Sequence, residues 1–312
     1  MEKILITGGA GFIGSNLAEE LLKRGYSIRI LDNLSTGKIE NIKPILKDIE
    51  FIKGDTRDET IVKKVLKNIQ MVFHFAAISS TYYSVKFPAE TINVNVNGTV
   101  NLLEKSVEAE IDKFIYSSSA AVYSNNNLPL IEDQPLNPLS LYGVSKVIGE
   151  KFLKIYYKTH NLRTISLRLF NVYGPRQNFQ SKYSNVIPKF ISSFILNKKP
   201  GIFGDGKQTR DFVFIKDVVN ASILALNKKL ESYGECFNIG SGKEISIIEL
   251  FHKIKKIIGK DIEPEFKKQR FNEVKYSCAI IDKASKMLGF KPEFSLDEGL
   301  KEMIEWFQTV YS

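Results

Sequence analysis

The chain has 312 residues, of which 43% are hydrophobic and 25% charged, the composition of an ordinary globular protein rather than a disordered or fibrous one. No run approaches 18 uninterrupted apolar residues, which excludes a membrane-spanning helix as the reading of any segment, and two cysteines are too few for a disulfide framework. A net charge of +9 favours anionic partners, yet the lysines are scattered, and the cluster "HKIKKIIGK" (252–260) has the spacing of a solvated helix face rather than of a nucleic-acid footprint.

In chain order, "KILIT" (3–7), "SIRIL" (27–31), "EFIKG" (50–54), "MVFHFAA" (71–77) and "KFIYSSS" (113–119) read as buried strands, with "RTISLRLF" (163–170) as a sixth. Amphipathic stretches at 12–24, 57–67 and 90–108 lie between them. Near-continuous apolar strands alternating with helices predict a doubly wound parallel sheet covered on both faces, the Rossmann arrangement of the α/β class. After residue 170 the pattern changes to shorter elements and longer loops, "VYGPRQNFQSKYSN" (172–185) and "FGDGKQTRDF" (203–212). We expect a nucleotide domain over 1–170 and a smaller α/β substrate portion over 171–312, some of whose segments return to the first sheet. "SNNNLP" (124–129) reads as a polar loop. Ser246 with Glu249 and Ser295 with Glu298 have the spacing of capping boxes at late helix starts.

The first strand runs directly into "TGGAGFIG" (7–14). Gly9, Gly11 and Gly14 satisfy G-x-G-x-x-G, and Gly8, Gly11 and Gly14 satisfy G-x-x-G-x-x-G. Either set gives a tight turn whose amides, with the next helix N-terminus, suit a pyrophosphate. Asp32, at the end of the second strand, is placed to bind adenosine ribose hydroxyls and to repel a 2′-phosphate, which predicts NAD rather than NADP. Asp55, in "GDTRD", fits two readings, an approach to the adenine or a cap for the next helix. Serines 117–119 follow the fifth strand, at the sheet edge where open α/β sheets bind ligands. In "LYGVSKVIGE", Tyr142 precedes Lys146 by one helical turn. That spacing fits a half-buried helix with an exposed lysine, or a tyrosine made acidic by a neighbouring cation.

Taken together and in this order, "TGGAGFIG", "DNLSTG" (32–37), "GD" (54–55), "HFAA" (74–77), "NVNGT" (95–99), "SSSAAVY" (117–123), "YGVSK" (142–146), "LRLFNVYGPR" (167–176), "RDFVFIKD" (210–217) and "FNIGSG" (237–242) resemble the extended short-chain dehydrogenase/reductase family. Within it the chain is similar to NAD-dependent nucleotide-sugar epimerases of the UDP-galactose 4-epimerase type, over essentially its whole length. The resemblance implies that Tyr142 is the acid and base, that Lys146 binds the nicotinamide ribose and keeps the phenol acidic, and that Ser119 bonds the reacting hydroxyl. It implies a bound NAD held by Gly8, Gly11, Phe12, Ile13, Gly14, Asp32, Asn33, Ser35, Thr36, Gly37, Asp55, Thr56, Phe75, Ala76, Ala77, Asn95 and Phe170 together with Tyr142 and Lys146. It implies substrate contacts at Ser119, Tyr142, Asn171, Asn185, Val186, Arg210, Arg270, Glu273 and Ser277, the two arginines taking a diphosphate. The implied reaction passes through a 4-keto sugar that turns about its diphosphate link.

Related dehydratases carry Asp-Glu after the site hydroxyl residue, and related decarboxylases carry Glu. Here Ala120 and Ala121 follow Ser119, which favours simple epimerisation over either. A non-catalytic NAD-binding sensor or scaffold is the alternative of another class, and the presence of Ser119, Tyr142 and Lys146 together argues against it. In the family, the fourth residue after the acid of an R-x-G-D/E motif gates the sugar pocket. "RFNEVKYS" (270–277) puts Ser277 there, a small residue that would admit UDP-GlcNAc and UDP-GalNAc alongside the plain hexoses. Phe271 and Asn272 depart from the family pattern, and a one-residue shift would place bulky Tyr276 at the gate instead. The resemblance also implies a homodimer, joined through the helices at 90–108 and from 141. No metal site, no nucleic-acid partner and no membrane attachment are expected. The start "MEKILITGG" lacks the form of a signal peptide, and with the cysteine count this leads us to expect a cytoplasmic enzyme.

Overall fold

The computed structural model describes residues 2–123, 129–179, 184–269 and 274–311. In chain order the strands are β1 (Lys3–Thr7), β2 (Ser27–Asp32), β3 (Glu50–Lys53), β4 (Met71–His74), β5 (Lys113–Ser119), β6 (Arg163–Leu169), β7 (Asn171–Tyr173), β8 (Gly201–Phe203), β9 (Thr209–Phe214), β10 (Glu235–Ile239), β11 (Glu244–Ser246) and β12 (Glu265–Lys267). The α-helices are α1 (Phe12–Lys23), α2 (Glu59–Val65), α3 (Thr81–Lys86), α4 (Pro88–Ile92), α5 (Gly98–Glu108), α6 (Leu141–His160), α7 (Val186–Ile195), α8 (Ile215–Asn227), α9 (Ile247–Ile258), α10 (Asp282–Leu288) and α11 (Leu296–Tyr311).

Seven strands form one sheet in the order β3-β2-β1-β4-β5-β6-β10, and every pairing in it is parallel. This is the doubly wound order, which reverses direction between β1 and β4 and leaves a crevice at the carboxyl ends there. The expected apolar strands form because both faces are covered. On one face lie α1 and α8, whose Leu17, Ala18, Leu21, Val218 and Ala221 are buried against Ile4, Ile6, Ile30 and Phe73. On the other lie α2, α5 and α6, with Val62, Leu102, Leu103 and Leu153 against Leu5, Leu31, Val72 and Phe114. The seventh strand, β10, comes from beyond residue 171.

Two details differ from the sequence expectation. The stretch 90–108 is a single helical run interrupted by a π-turn over Asn93–Asn97, which swings Asn95 inward. "FGDGKQTRDF" is not all loop. Thr209–Phe214 is a buried strand, pairing with β7 and β11 in a small three-stranded sheet. Its charged Asp211 misled the reading. The side chain is fully buried because four donors satisfy it: Ser241 N and Oγ at 2.7 Å, and Gly242 N and Ala279 N at 3.1 Å. Both predicted capping boxes form. Three of the four lysines of the 252–260 cluster have partners: Lys253 pairs with Asp297, Lys255 with Asp261 and Glu263, and Lys260 donates to the Phe194 carbonyl. Residues 124–128 of the predicted polar loop lie outside the described residues. Among the described residues no helix is long and apolar enough to cross a membrane, and no group of three potential metal ligands occurs.

Candidate active site

The glycine turn closes through local bonds, Gly8 N to Leu31 O and Gly11 N to Gly8 O. Gly8 has φ +69°, and a Cβ there would lie 2.6 Å from Ala76 N; one on Gly14 would lie 2.5 Å from Gly8 O. Side chains are therefore excluded where the turn meets Phe75–Ala77 at the end of β4. Gly11, extended, occupies the cap position of α1 with no capping side chain, and the first turn carries no acidic residue. The leading amides of a 12-residue helix thus face the turn unclaimed by any cap, as a bound pyrophosphate requires. Asp32 is buried, and its carboxylate accepts from Ala10 N (2.9 Å) and Leu34 N (2.8 Å), tying the glycine turn to the loop that carries Asn33, Ser35, Thr36 and Gly37. Burial raises its pKa and these two bonds oppose the rise.

The two readings of Asp55 part here. The cap of α2 is Asp58, which accepts from Ile61 N at 3.1 Å, and not Asp55. Asp55 instead accepts from Asn33 Nδ2 (2.8 Å) and takes the Arg57 fork at 2.8 Å on each oxygen, which lowers its carboxyl to about 2. Thr56 is buried beside it.

Beneath the crevice, His74 links Thr7 Oγ1 (2.7 Å, at Nδ1) to Thr99 Oγ1 (2.9 Å, at Nε2). Thr99 donates its own proton to Asn95 O, so it must accept from Nε2–H, and Nδ1 must accept from Thr7. The ring is neutral and buried, its pKa pushed down to about 3 by burial and by the charge of Lys146. Asn95 is fully used within the protein, accepting from Ile78 N (2.8 Å) and donating to Ile78 O and to Ser145 Oγ, both at 3.0 Å.

Helix α6 begins at the edge of the site because Ser140 caps it, accepting from Gly143 N at 3.1 Å. This cap was not anticipated from sequence, although serine before an apolar helical run is its usual sign. It delivers Tyr142 in the first turn and Lys146 one turn later. Ser119 closes β5 and caps the short 3₁₀ turn Ala120–Val122, accepting from Ala121 N. Its hydroxyl lies close enough to the Tyr142 phenol to lower that group's pKa. In the β5–β6 ladder Ser119 pairs with Leu169, so buried Phe170 and then Asn171 leave the sheet directly beside it.

Lys146 neighbours Tyr142, with its ammonium 5.8 Å from that ring's centroid. It donates to the Ser117 carbonyl at 2.7 Å and sits 4.7 Å from the Tyr116 ring centroid. Burial raises the Tyr142 pKa, and Ser119 opposes the rise. Burial pushes Lys146 down to about 7, against the pull of Glu150. Desolvation is the largest influence on both groups.

Of the substrate candidates, Asn171 and Arg210 lie on adjacent strands of the small sheet, where Asn171 donates to Asp211 O at 2.9 Å and Arg210 to Thr209 O at 2.7 Å. Asn185 and Val186 begin α7, with Asn185 extended and forming no side-chain cap. Ser277 is buried while adjacent Tyr276 is about half exposed (47%). The segment is pinned on both sides, by Thr209 N to Lys275 O and by Leu130 N to Cys278 O, each 3.0 Å. Arg270 and Glu273, with the rest of 270–273, lie outside the described residues, as do 180–183.

A family model described as NAD dependent epimerase/dehydratase family matches residues 4–240. The chain is 43% identical to a putative UDP-glucose 4-epimerase of Methanocaldococcus jannaschii, over 98% of each protein. Among solved structures it is similar to a UDP-glucose 4-epimerase of Thermotoga maritima with UDP-glucose, at 36% identity and TM-score 0.94, covering 99% of this chain and 100% of that one. It is similar also to a UDP-N-acetylglucosamine 4-epimerase of Methanobrevibacter ruminantium in complex with UDP-N-acetylmuramic acid, at 36% identity and TM-score 0.95, covering 99% of each.

Proposed function

Because this chain belongs to the NAD-dependent epimerase/dehydratase family, a UDP-sugar epimerase lineage that uses NAD, we propose that it interconverts UDP-GlcNAc with UDP-GalNAc, and UDP-glucose with UDP-galactose, at carbon 4 of the sugar. The observation that carries the reading is the placing of Ser119 beside the Tyr142 phenol, with Lys146 one turn on and Ala120 and Ala121 following the serine. NAD, when bound, supplies the reversible two-electron oxidation of carbon 4. The chain's own part is proton handling and grip. Tyr142 takes the proton of the sugar hydroxyl and later returns it, while Ser119 orients that hydroxyl. Gly8, Gly11 and Gly14 with the start of α1 hold the pyrophosphate, and Asp32, Asn33 and the 35–37 loop the adenosine side. Phe75–Ala77, Phe170 and Lys146 line the nicotinamide side, with Asn95 as their brace. Asn171, Asn185, Val186 and Arg210, with Arg270 and Glu273, take the nucleotide sugar. With alanines at both positions after Ser119, that turn supplies no second acid for eliminating water or assisting decarboxylation. Acceptance of N-acetylated sugars alongside the plain hexoses is supported by buried Ser277 beside outward Tyr276.

The division into a cofactor part (1–170) and a substrate part (171–312), a cytoplasmic location and a homodimer belong to the same proposal. Exposed Ile155 on α6 supports the dimer, which sedimentation at micromolar concentration would test. The activity is tested by NMR of the anomeric region with purified protein, UDP-GlcNAc and no added cofactor. Growth of UDP-GalNAc signals is expected. Activity on UDP-glucose alone would overturn the acceptance of N-acetylated sugars. Silence on both, with NAD added, would overturn the epimerase reading.

A further inference from the structure

A buried polar row crosses the sheet under α6. Ser118 on β5 and Asn238 on β10 both pair with Arg168 on β6 in their ladders, so the three side chains stand side by side on one face. Glu150 of α6 covers them. Its carboxylate accepts from Ser118 Oγ at 2.5 Å and takes the Arg168 fork, Nε at 2.9 Å and Nη2 at 2.8 Å. The side chains of both charged partners are about 95% buried. Arg168 donates further to Tyr123 Oη (2.7 Å) and Glu132 O (2.9 Å); Tyr123 donates to Asn238 Oδ1 (2.7 Å). Asn238 in turn holds the carbonyls of Leu130 and Ile280.

A buried ion pair is weak evidence for stability, because desolvating both charges offsets their attraction. What this one does is geometric. Ser118 is the neighbour of Ser119, and Glu150 is one turn beyond Lys146. Resting on the roles of Tyr142, Lys146 and Ser119 given above, we infer that Glu150 is a positioning residue for the epimerisation: through Ser118 it holds the strand end that presents Ser119 in register with the helix that presents Tyr142 and Lys146.

Ser118→Ala in the NAD-loaded full chain removes the Ser118–Glu150 bond between β5 and α6 and leaves the Glu150–Arg168 pair and the Lys146–Ser117 bond in place. The expected result is a kcat lower by about tenfold or more, since sub-ångström misplacement is costly to positioned groups. KM should stay within about twofold and the melting temperature near wild type, because substrate grip and the ion pair are untouched. Crystal structures of wild type and variant should show Ser119 shifted away from the Tyr142 phenol in the variant. That readout needs no turnover, so it decides the inference even if the wild-type protein proves inert on UDP-GlcNAc and UDP-glucose, a result that would sink the activity alone. Wild-type kcat, or an unmoved Ser119 hydroxyl, overturns the inference. Should Ser118→Ala fail to fold, the double variant Glu150→Met/Arg168→Met decides: apolar replacement of both charges is expected to fold and still show the lowered kcat and shifted Ser119, whereas normal kcat would reduce Glu150 to a structural role.

Discussion

Lys146 and Tyr142 share one face of α6, yet the lysine ammonium is bonded to the Ser117 carbonyl, 2.7 Å away, and not to the phenol. The cation grips the backbone of the strand that ends in Ser119. The phenol is left to Ser119 and to burial, which raises its pKa above the usual 10. In the proposed mechanism the positive nicotinamide ring of bound NAD would add to Lys146 in favouring the phenolate.

Tyr142→Phe is accordingly expected to fold, to keep NAD and to lose turnover by about 10²–10⁴-fold, the range for a general acid-base group. The phenolate absorbance difference between wild type and this variant should appear near neutral pH only with NAD bound. Turnover near wild type would remove Tyr142 from the chemistry.

Lys146 carries a second expectation. Its folded pKa is about 7 against an ordinary 10.5. Between those values the unfolded chain holds a proton that the folded chain lacks, so stability rises with pH across the window. Below pH 7 the buried ammonium exerts its full destabilising effect. Lys146→Met should therefore gain most over wild type at pH 6, with the difference shrinking towards pH 10, measured by urea unfolding without NAD. A difference independent of pH would refute the assignment. Turnover should be lost at every pH.

His74 works in the opposite region. Its folded pKa is about 3 and its unfolded value 6.5, so the neutral ring contributes stability in full above pH 6.5 and loses it as pH falls toward 3. His74→Asn breaks the Thr7–Thr99 link and should cost about 1–3 kcal/mol at pH 7. It should then lose less stability than wild type between pH 6.5 and pH 4. Parallel acid limbs in denaturant titrations would show that His74 is not the titrating group.

The parts of the fold that sequence made legible are those whose neighbours dictate their composition. Five strands of the main sheet, β1, β2, β4, β5 and β6, are largely buried and read as apolar runs, and the glycine turn carries its geometry in its own residues. The parts that escaped depend on distant partners. Asp211 reads as a loop carboxylate until Ser241, Gly242 and Ala279 are brought to it. Glu150 and Arg168 stand 18 positions apart in sequence, and nothing in that spacing pairs them until β6 lies under α6. Tyr142 and Lys146 were correctly placed on one helix face, but their spacing alone could not show that the lysine turns to Ser117.

The proposed acceptance of N-acetylated sugars rests on one side chain. Ser277 is 6% exposed and held between anchors at Lys275 and Cys278, so a larger residue there has little room to swing away. Ser277→Tyr should fill the space that an N-acetyl group needs while leaving the plain hexoses room. The kcat/KM for UDP-GlcNAc is expected to fall about 10- to 200-fold relative to that for UDP-glucose, the usual reach of a purely steric pocket. The substitution touches no proton-transfer group, so UDP-glucose turnover serves as the internal reference. If both substrates fall together, Ser277 supports the segment but does not gate it. If neither changes, the gate lies elsewhere, with Tyr276 the next residue to replace.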